Sequence, residues 1–337
     1  MRLLALETSC DDSCAAIWDT ATGKLLAEKT YSHTKAMQRW GGIVPEVASR
    51  EHLCGLPLAV SDALKDAKLT PQDLDWIVAT NRPGLIGALV VGLAYGKSLA
   101  FALGKPFSTV SHIEAHLFSP LLAKAEGKTP PPFPWIALVV SGGHTELFFV
   151  EGVGKFKWLG GTLDDAAGEA FDKVGKAAGL EYPAGPIIDK MAAALPADQR
   201  ELHQFPRAQV SGFNYSFSGL KTSVGLELQK HHPLEEVTRA QILSSAQEAI
   251  VDALVIKVRR AQKELGGNVI VTGGVACNGR LRERLPQAYF PAPRHCSDNA
   301  GMVAALAAAQ FEAGCLEIAP LSVTASARED WETWVKG

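Results

Sequence analysis

Residues 135–150 read WIALVVSGGHTELFFV, and residues 3–18 read LLALETSCDDSCAAIW. In each stretch an apolar run enters a turn of small and hydroxyl-bearing residues, and a second apolar run follows. This pattern predicts a β-hairpin whose turn can bring backbone N–H groups close to an anion. Because the same unit occurs in both halves of the chain, we predict a duplicated α/β protein with two similar lobes facing a cleft.

A third turn rich in glycine comes late in the chain. Residues 268–271 are a predicted strand, the segment TGGVACNG (272–279) breaks it, and a helix is predicted over 280–285. Strand, Gly-Gly turn and helix often seat a nucleotide on backbone amides, although such turns are also frequent elsewhere. The amphipathic residues 238–265 predict a long helix that packs against this strand.

The composition is that of an ordinary folded protein, with 337 residues, 47% hydrophobic and 20% charged. The formal net charge of -3 argues against a dedicated nucleic-acid binder, so any such partner must meet a local basic patch. The six cysteines include no C-x-x-C pair, and an acidic residue comes early, where a signal peptide would be apolar. Both features favour a cytoplasmic protein. Residues 84–104 are long enough to span a bilayer, but their Gly and Ala content favours a closely packed buried helix.

A candidate metal site begins in SHIEAH (111–116), where His112 and His116 are four residues apart. On a helix this spacing places both imidazoles on one face, where they can bind one metal ion. Asp298, in the polar cluster HCSDN (295–299), is a third candidate ligand. Two His and one carboxylate leave coordination positions open, as in a catalytic metal site. From the pair alone, two ordinary partly buried histidines are an equally good interpretation.

Many unusual segments, in one order, resemble the TsaD family (also called Gcp or YgjD), which modifies tRNA with a threonylcarbamoyl group. The resemblance covers nearly the whole chain. The matching segments are ETSCD (7–11), GGIVPEVASR (41–50), HIEAH (112–116), SGGHT (141–145), DDAAGEAFDK (164–173), SFSGLKT (216–222), GGV (273–275) with Asn278, and DN (298–299).

The resemblance implies an α/β fold of the actin/Hsp70/sugar-kinase-like (ASKHA) type, with two duplicated lobes around a cleft and a helical insertion. It implies an N-terminal lobe of residues 1–110 plus about 300–337, and a C-terminal lobe of 111–299 with the insertion at about 160–235. It also implies an enzyme, a tRNA N6-adenosine threonylcarbamoyltransferase. The threonylcarbamoyl group would pass from threonylcarbamoyl-adenylate to the N6 amine of adenosine 37, 3′ of the anticodon, in tRNAs reading codons that begin with adenine, and AMP would be released.

The resemblance also implies the site residues and partners. The family's metal, usually assigned as iron with zinc also considered, is held by the residues matching His112, His116 and Asp298. The implied adenylate-binding residues are Val139, Val140, Ser141, Gly142, Gly143, Asp172, Gly185 and Asn278. Bacterial members work with a TsaB-like paralogue and a TsaE-like ATPase, and no membrane is involved.

The residues suit this chemistry. A mixed carbamoyl-phosphate anhydride is already activated, so the reaction needs a Lewis acid and a positioned amine more than a nucleophilic Ser or Cys. Asp11 is the best candidate to orient or deprotonate the attacking amine, with a turn-capping role as the alternative. Affinity for tRNA must come from local cations, and Arg39, Arg50, Arg82 and Lys221 flank the family segments.

Some positions depart from the family pattern. Asp12 replaces a usual Glu, Arg82 and Ala184 replace usual glycines, and Cys277 stands in a segment that usually reads Ala-Asn-Arg. With that arginine missing, the positive charge near the turn is either lost or supplied by Arg280. None of these changes removes a candidate metal ligand.

Three other functions fit parts of the pattern. A metal-dependent glycoprotease would explain the two histidines, but Glu114 lies midway between them and not where a zincin base would face the metal. An actin-fold ATPase would suit the hairpins, but it needs a carboxylate-Mg²⁺ site. A non-catalytic scaffold would be expected to have lost the metal ligands, and all three candidates are present here.

Overall fold

The computed structural model describes residues 1–231 and 233–329. Its strands are β1 (Arg2–Glu7), β2 (Asp12–Asp19), β3 (Lys24–Ser32), β4 (Trp76–Arg82), β5 (Phe107–Ser111), β6 (Trp135–Val140), β7 (Thr145–Gly152), β8 (Lys155–Gly161) and β9 (Asn268–Thr272). Its α-helices are α1 (Thr34–Gln38), α2 (Pro45–Ala67), α3 (Ile86–Leu103), α4 (His112–Leu117), α5 (Ala167–Ala177), α6 (Gly185–Ala194), α7 (Ser218–Gln229), α8 (Glu236–Leu265), α9 (Gly279–Arg284) and α10 (Ala300–Glu312). Short 3-10 helices span Pro71–Asp73, Ser119–Glu126, Ala197–Gln199, Gly274–Cys277 and Pro293–His295.

The chain forms two units. Unit 1 comprises Met1–Pro131, Val153–Lys155 and the described residues from 297 onward, and unit 2 comprises Pro132–Gly152 and Phe156–Cys296. Residues 111–131, expected in the C-terminal lobe, group with unit 1 because α4 contacts α10, β4 and β5. The predicted lobe limits otherwise stay a prediction, and their last residues, 330–337, lie outside the described part of the chain.

Unit 1 is built on a five-stranded sheet of order β3-β2-β1-β4-β5. The predicted first hairpin is confirmed, because β1 and β2 pair antiparallel up to Glu7 opposite Cys14. Strands β4 and β5 extend the sheet in parallel to β1. Leu4 and Leu6 are fully buried in one cluster with Leu56 of α2 and other residues of α2 and α3. Helix α10 contacts β1 and β2, so helices cover the apolar strands.

Helix α3 corresponds to the long apolar stretch of the sequence. A Cβ added at Gly92 would lie 2.2 Å from Thr8 Oγ1, and one at Gly96 would lie 2.8 Å from the Phe107 ring. The small residues therefore allow the helix to approach the sheet closely, as the sequence predicts. By length and composition α3 could also cross a membrane, with 33% of its apolar window buried, but a core helix passes the same test.

Unit 2 is built on a four-stranded sheet of order β8-β7-β6-β9. Strands β6 and β7 form the second predicted hairpin, with Val140 opposite Thr145. Strand β9 runs parallel to β6, with Thr272 beside Val139. The predicted helix over 238–265 is confirmed as α8, which contributes Ile250 and Leu254 to the core. Because β6 and β9 are parallel neighbours, the two glycine-rich turns that follow them are adjacent at one sheet edge.

Candidate functional site

Helix α4 brings the three candidate metal ligands together within unit 1. It begins at His112, directly after β5, and the hydroxyl of Ser111 caps it by accepting from the backbone N–H of Glu114 at 3.3 Å. The rings of His112 and His116 lie 4.6 Å apart between centroids. Asp298 Oδ1 lies 3.0 Å from His116 Nε2 and 3.7 Å from His112 Nε2. Both imidazoles therefore present the same nitrogen to one carboxylate oxygen.

Glu7 at the end of β1 and Ser9 in the turn that follows hold the His112 ring in place. Its Nδ1 lies 3.0 Å from Glu7 Oε2 and 2.9 Å from Ser9 Oγ. Burial disfavours protonation of this ring, but the carboxylates of Glu7 and Asp298 outweigh burial and raise the pKa of His112 to about 9. A metal ion would have to displace that proton, since a ligating imidazole is neutral. Carboxylate support of a ligand's second nitrogen is usual in metal sites.

The surroundings of His116 also fit a bound cation. Its side chain is fully buried, and Nε2 is the nitrogen that faces Asp298, while Nδ1 has no hydrogen-bond partner among the described residues. Burial lowers the pKa of His116, which favours the neutral, ligating form. Once His112 has lost its proton, two imidazole nitrogens and a carboxylate oxygen within 4.8 Å of one another form a donor set that can hold a divalent metal ion.

Glu114, on the same helix, does not join this donor set. Its Oε1 accepts a hydrogen bond from Gln310 Nε2 of α10 at 3.0 Å, and burial raises its pKa to about 7. The carboxyl is thus tied to α10, as its midway position in the sequence predicts. It is not placed to activate a water as the glutamate of a zincin does.

Asp11 lies in the turn between β1 and β2. Its carbonyl accepts from the backbone N–H of His33 at 3.2 Å, and burial, followed by the charge of Asp298, raises the pKa of its carboxyl. Asp12, its neighbour, has a pKa raised by burial to about 7, and Asp12 Oδ1 is buried without a partner among the described residues. The turn and the first residue of β2 therefore carry two carboxyls that are partly shielded from water.

In unit 2, the turn after β6 is closed by its own serine. Ser141 Oγ accepts from the backbone N–H groups of Gly143 at 3.4 Å and His144 at 3.2 Å. The first turn of α5 packs on it, since the N–H of Gly168 donates to the Ser141 carbonyl at 3.1 Å. Gly142 and Gly143 are exposed with open space beside them, so a ligand can approach this backbone.

The turn after β9 lies against the end of β6. Gly273 has φ +91°, and a Cβ there would lie 2.3 Å from the carbonyl oxygen of Val140. Only glycine suits that conformation and that approach. The structure therefore brings Val139, Val140 and the Ser141–Gly143 turn next to the Gly273–Gly274 turn, at the carboxyl ends of two parallel strands. Open α/β sheets commonly bind ligands at such an edge.

Asp172 and Gly185 meet at the start of α6. Asp172, on α5, accepts from the backbone N–H of Ala184 at 2.8 Å and also bonds the N–H of Gly185. Burial raises the pKa of this carboxyl despite those bonds. Ala184, which replaces a usual glycine, has ordinary helical backbone angles, so the substitution requires no unusual turn.

Asn278 caps the next short helix. Its Oδ1 accepts from the N–H of Leu281 at 2.9 Å, and its Nδ2 donates to Gln247 Oε1 at 2.8 Å. The neighbouring N–H of Gly279 donates to Asp189 of α6 at 2.9 Å, which links α6 to α9. The predicted adenylate residues of unit 2 thus belong to a connected set of turns and helix N-termini.

The predicted phosphate-facing cations are largely paired. Arg82 binds Glu329 at 2.7 Å and Arg50 binds Glu46 at 2.6 Å. Arg280, expected near the Cys277 turn, binds the buried Glu248 at 2.6 Å, whereas Arg282 contacts that turn by donating from Nε to the Ala276 carbonyl at 2.7 Å. Lys221, likewise, binds an aspartate at 3.1 Å. These charges must exchange partners before they meet a phosphate.

Several contacts around the site were not predicted from the sequence. The role of Glu7 and Ser9 behind His112 depends on strand pairing and on the position of α4. The contact of Gln247 with Asn278 joins residues on separate helices. A signal existed for Glu7, which opens the family segment ETSCD, but nothing in that segment indicates its partner.

Solved structures of similar architecture show the fold. Full-length HypF, in its phosphate- and nucleotide-bound form, matches with a TM-score of 0.59 and 13% identity over 94% of this chain and 47% of that chain. Component A of (R)-2-hydroxyglutaryl-CoA dehydratase from Acidaminococcus fermentans gives 0.52 and 17% over 93% and 99%. The activator of 2-hydroxyisocaproyl-CoA dehydratase from Clostridium difficile, with bound ADPNP, gives 0.51 and 14% over 95% and 100%. The predicted ASKHA-type α/β fold is therefore confirmed.

The family assignment rests on the sequence match together with this fold. Residues 24–305 match the model of the family described as TsaD, tRNA N6-adenosine threonylcarbamoyltransferase. The matched range includes His112, His116 and Asp298, as well as the glycine-rich turns of unit 2. The chain belongs to the TsaD family of tRNA-modifying transferases.

Proposed function

We propose that this enzyme transfers the threonylcarbamoyl group of threonylcarbamoyl-adenylate to the N6 amine of adenosine 37 in tRNAs that read codons beginning with adenine. The observation that carries the proposal is the convergence of His112, His116 and Asp298 in a chain that matches this family over residues 24–305. AMP is the second product. The protein is placed in the cytoplasm, where its tRNA substrate is found.

His112, His116 and Asp298 are the proposed metal ligands, with Fe²⁺ the first choice and Zn²⁺ the alternative. Imidazole and carboxylate ligands suit both ions. When bound, the ion supplies Lewis acidity to the threonylcarbamoyl group. Glu7 and Ser9 hold the His112 ring so that its Nε2 faces the carboxylate of Asp298.

The adenylate is assigned to the turns of unit 2. The exposed backbone N–H of Gly142 donates to its phosphate, and the N–H of Gly143 joins it by leaving Ser141 Oγ, at the edge formed by Val139, Val140 and Ser141. Asp172 has carboxylate lone pairs beyond those used by the N–H groups of α6, and these can accept from a ribose hydroxyl. Gly185 and Asn278 complete the proposed contacts.

Asp11 acts as the general base that accepts the proton of the attacking amine. The N6 amine of adenosine attacks the carbamoyl carbon, a C–N bond forms, and the C–O bond to the phosphate breaks with AMP as the leaving group. The amine proton passes to the Asp11 carboxylate. A half-buried carboxylate whose pKa is raised by burial is a better base than one in water.

The test of this reaction is a reconstitution with threonylcarbamoyl-adenylate, tRNA and TsaB-like and TsaE-like partners. Mass spectrometry of digested tRNA should show threonylcarbamoyladenosine at position 37, matched by AMP release. A glycoprotein incubated with the same preparation should stay intact. Proteolysis that disappears in His112→Ala would replace this proposal with the protease, and nucleotide hydrolysis without tRNA modification would replace it with an ATPase.

The metal assignment has its own test. Combined replacement of His112, His116 and Asp298 by alanine should remove this bound metal and the transfer activity together. Elemental analysis of the purified full chain measures the first, and circular dichroism checks that the variant is folded. Unchanged metal content in the folded variant would show that the ligands are wrong.

The role of Asp11 is tested by Asp11→Asn, which keeps the side chain's size. A lost acid–base group typically lowers a rate by on the order of 10²–10⁴-fold. We expect that loss in the transfer rate at saturating adenylate, with little change in adenylate affinity. An equal loss in both would make Asp11 a structural turn residue.

Binding of tRNA is proposed to be weak in the isolated protein and tighter with a TsaB-like partner. The net charge is -3, and Arg50, Arg82 and Lys221 are already paired, which leaves little free positive charge in these positions. Each phosphate contact releases counterions, so binding should weaken steeply with salt. Titrations at several salt concentrations, with and without the partner, test this. Tight, salt-insensitive binding by the isolated chain would contradict it.

A further inference from the structure

A second group of metal-ligating side chains lies in unit 2, separate from the site described above. His203, Glu227 and His231 each offer one ligand atom, and these atoms lie within 4.8 Å of one another. Glu227 Oε1 lies 2.9 Å from His203 Nδ1 and 3.5 Å from His231 Nε2. The rings of the two histidines meet edge to face, with centroids 5.9 Å apart. One carboxylate oxygen therefore faces two imidazole nitrogens.

The local fold fixes both sides of this group. Glu227 is in the last full turn of α7, and His231 follows four residues later, just past the helix end. This spacing places both side chains on one side of the helix terminus. A backbone hydrogen bond ties His231 to the helix end, because its N–H donates to the carbonyl of Leu228 at 3.2 Å.

His203 comes from a segment that is pinned to α8. Its N–H donates to Ser245 Oγ at 3.1 Å, and the hydroxyl of Ser244 donates to the carbonyl of Arg200 at 2.8 Å. The His203 ring also stacks on buried Phe205, at 6.3 Å between centroids and 19° between planes. The imidazole is thus held in place by backbone and ring contacts that do not depend on Glu227.

The separations suit a tetrahedral cation. For metal–ligand distances of about 2.0–2.2 Å, tetrahedral ligand atoms lie roughly 3.3 Å apart. The two measured separations from Glu227 Oε1, 2.9 and 3.5 Å, fall on either side of this value. The group is partly exposed, with side-chain exposures of 18% for His203 and 37% for His231, so water can complete the coordination.

Lys230 pairs with Glu227 and leaves the ligand oxygen of Glu227 free to face the imidazoles. Its ammonium lies 2.8 Å from Glu227 Oε2, the carboxylate oxygen that does not face the imidazoles. The pairing turns Oε1 toward His203 and His231. It also places a positive charge next to any bound cation, which weakens binding by charge repulsion.

We propose that His203, Glu227 and His231 form a second divalent transition-metal site, of the class that binds Zn²⁺ or Co²⁺. Two imidazoles and one carboxylate select such ions over Ca²⁺ and Mg²⁺, which prefer oxygen ligands. The ion would join the segment around His203 to the end of α7. Because a site assembled from residues far apart in sequence exists in the folded state, the ion stabilises unit 2 by mass action.

The experiment measures ion binding to the full chain and needs no activity. Co²⁺ is titrated into the chelator-treated protein, and visible absorption and equilibrium dialysis report the number of ions bound. His231→Ala and Glu227→Gln should each bind one Co²⁺ fewer per chain than the wild type. Lys230→Ala is the matched control, since it lies in the same turn and should bind at least as tightly as the wild type. Zn²⁺ should raise the thermal midpoint of the wild type more than that of His231→Ala.

Two outcomes would overturn the proposal. Equal stoichiometry in the wild type, His231→Ala and Glu227→Gln would show that the group is an ion-pair network and not a metal site. Weaker Co²⁺ binding by Lys230→Ala than by the wild type would contradict the placement of the ion at Glu227, because the Lys230 ammonium beside Glu227 should repel an ion bound there. Because the comparison is a difference of one ion between variants, it holds whether or not the His112 site binds metal. Circular dichroism of each variant shows whether it is folded.

Discussion

Glu146→Gln should change how the stability of unit 2 depends on pH. Glu146 is on β7, is 8% exposed, and accepts from Trp158 Nε1 at 2.6 Å. A Cβ added at Gly161 would lie 1.9 Å from its Oε2, so backbone crowds the carboxyl on that side. Burial raises the pKa of Glu146 from 4.5 to about 7 although Trp158 donates to it. The folded protein therefore holds a proton that the unfolded chain releases.

Proton linkage gives the sign and the size of the change in the free energy of unfolding. Between pH 4.5 and about 7 the folded state binds more protons than the unfolded state, so the free energy of unfolding falls as pH rises. The rise in pKa from 4.5 to about 7 corresponds to about 3 kcal/mol, since each pKa unit is worth roughly 1.4 kcal/mol. Glutamine keeps an oxygen that can accept from Trp158 and carries no charge. The variant should match the wild type near pH 4.5 and exceed its stability by up to about 3 kcal/mol above pH 7.

The assay must report on unit 2 because a chain of two units need not unfold in one step. Hydrogen exchange of peptides from β6 and β7, measured in increasing urea at pH 5 and pH 8, gives the free energy of opening of this sheet. Glu151→Gln is the matched control, since it removes an exposed carboxylate from the same strand. A stability gain that is equal at both pH values, or equally large in Glu151→Gln, would refute the reasoning.

Three further changes test individual contacts. Glu7→Gln should weaken metal binding by about 10–100-fold, because it removes the charge that supports His112 Nδ1, and metal-buffered titrations would show no change if that contact is irrelevant. Gly92→Ala should destabilise unit 1 by about 1–3 kcal/mol, because its methyl would lie 2.2 Å from Thr8 Oγ1, and an unchanged thermal midpoint would mean that α3 shifts freely. Asn278→Ala should lower the free energy of unfolding by about 0.5–2 kcal/mol, because it removes the cap of α9. Asn278→Ser should restore that stability, but adenylate affinity should stay low if the amide contacts the nucleotide.

The sequence predicts the elements that carry their own signal. Both hairpins and the long helix α8 have clear apolar periodicity, and the chain forms them where expected. The sequence alone does not predict strands β3, β4, β5 and β8, because a short apolar run without a distinctive turn cannot be told from part of a helix. Local pattern thus locates the strands next to turns of small and hydroxyl-bearing residues and leaves the other strands undetermined.

The metal ligands show a second limit of prediction from the sequence, which concerns contacts between residues far apart in the chain. The spacing of His112 and His116 predicts a shared helix face, because both residues belong to one turn of α4. Asp298 lies 182 residues from His116, and their 3.0 Å contact depends on how α10 and α4 pack. No local pattern fixes that distance, so only the polar surroundings of Asp298 and the family resemblance indicate it as a ligand. The described structure brings the three together, while their role in catalysis stays a proposal.

Asp172 and Asn278 show why a residue's contact and its proposed role are separate questions. Both were expected to touch the adenylate, and each already satisfies backbone N–H groups at a helix start, Asp172 for α6 and Asn278 for α9. Unpaired N–H groups at such positions are costly, so either residue would be needed even in a protein that binds no nucleotide. A helix start fixed in this way also holds its remaining N–H groups in place for an anion. Loss of adenylate binding in an alanine variant therefore cannot by itself assign a direct contact, because that variant also loses the helix cap. A substitution that keeps the cap and removes the rest of the side chain can assign it.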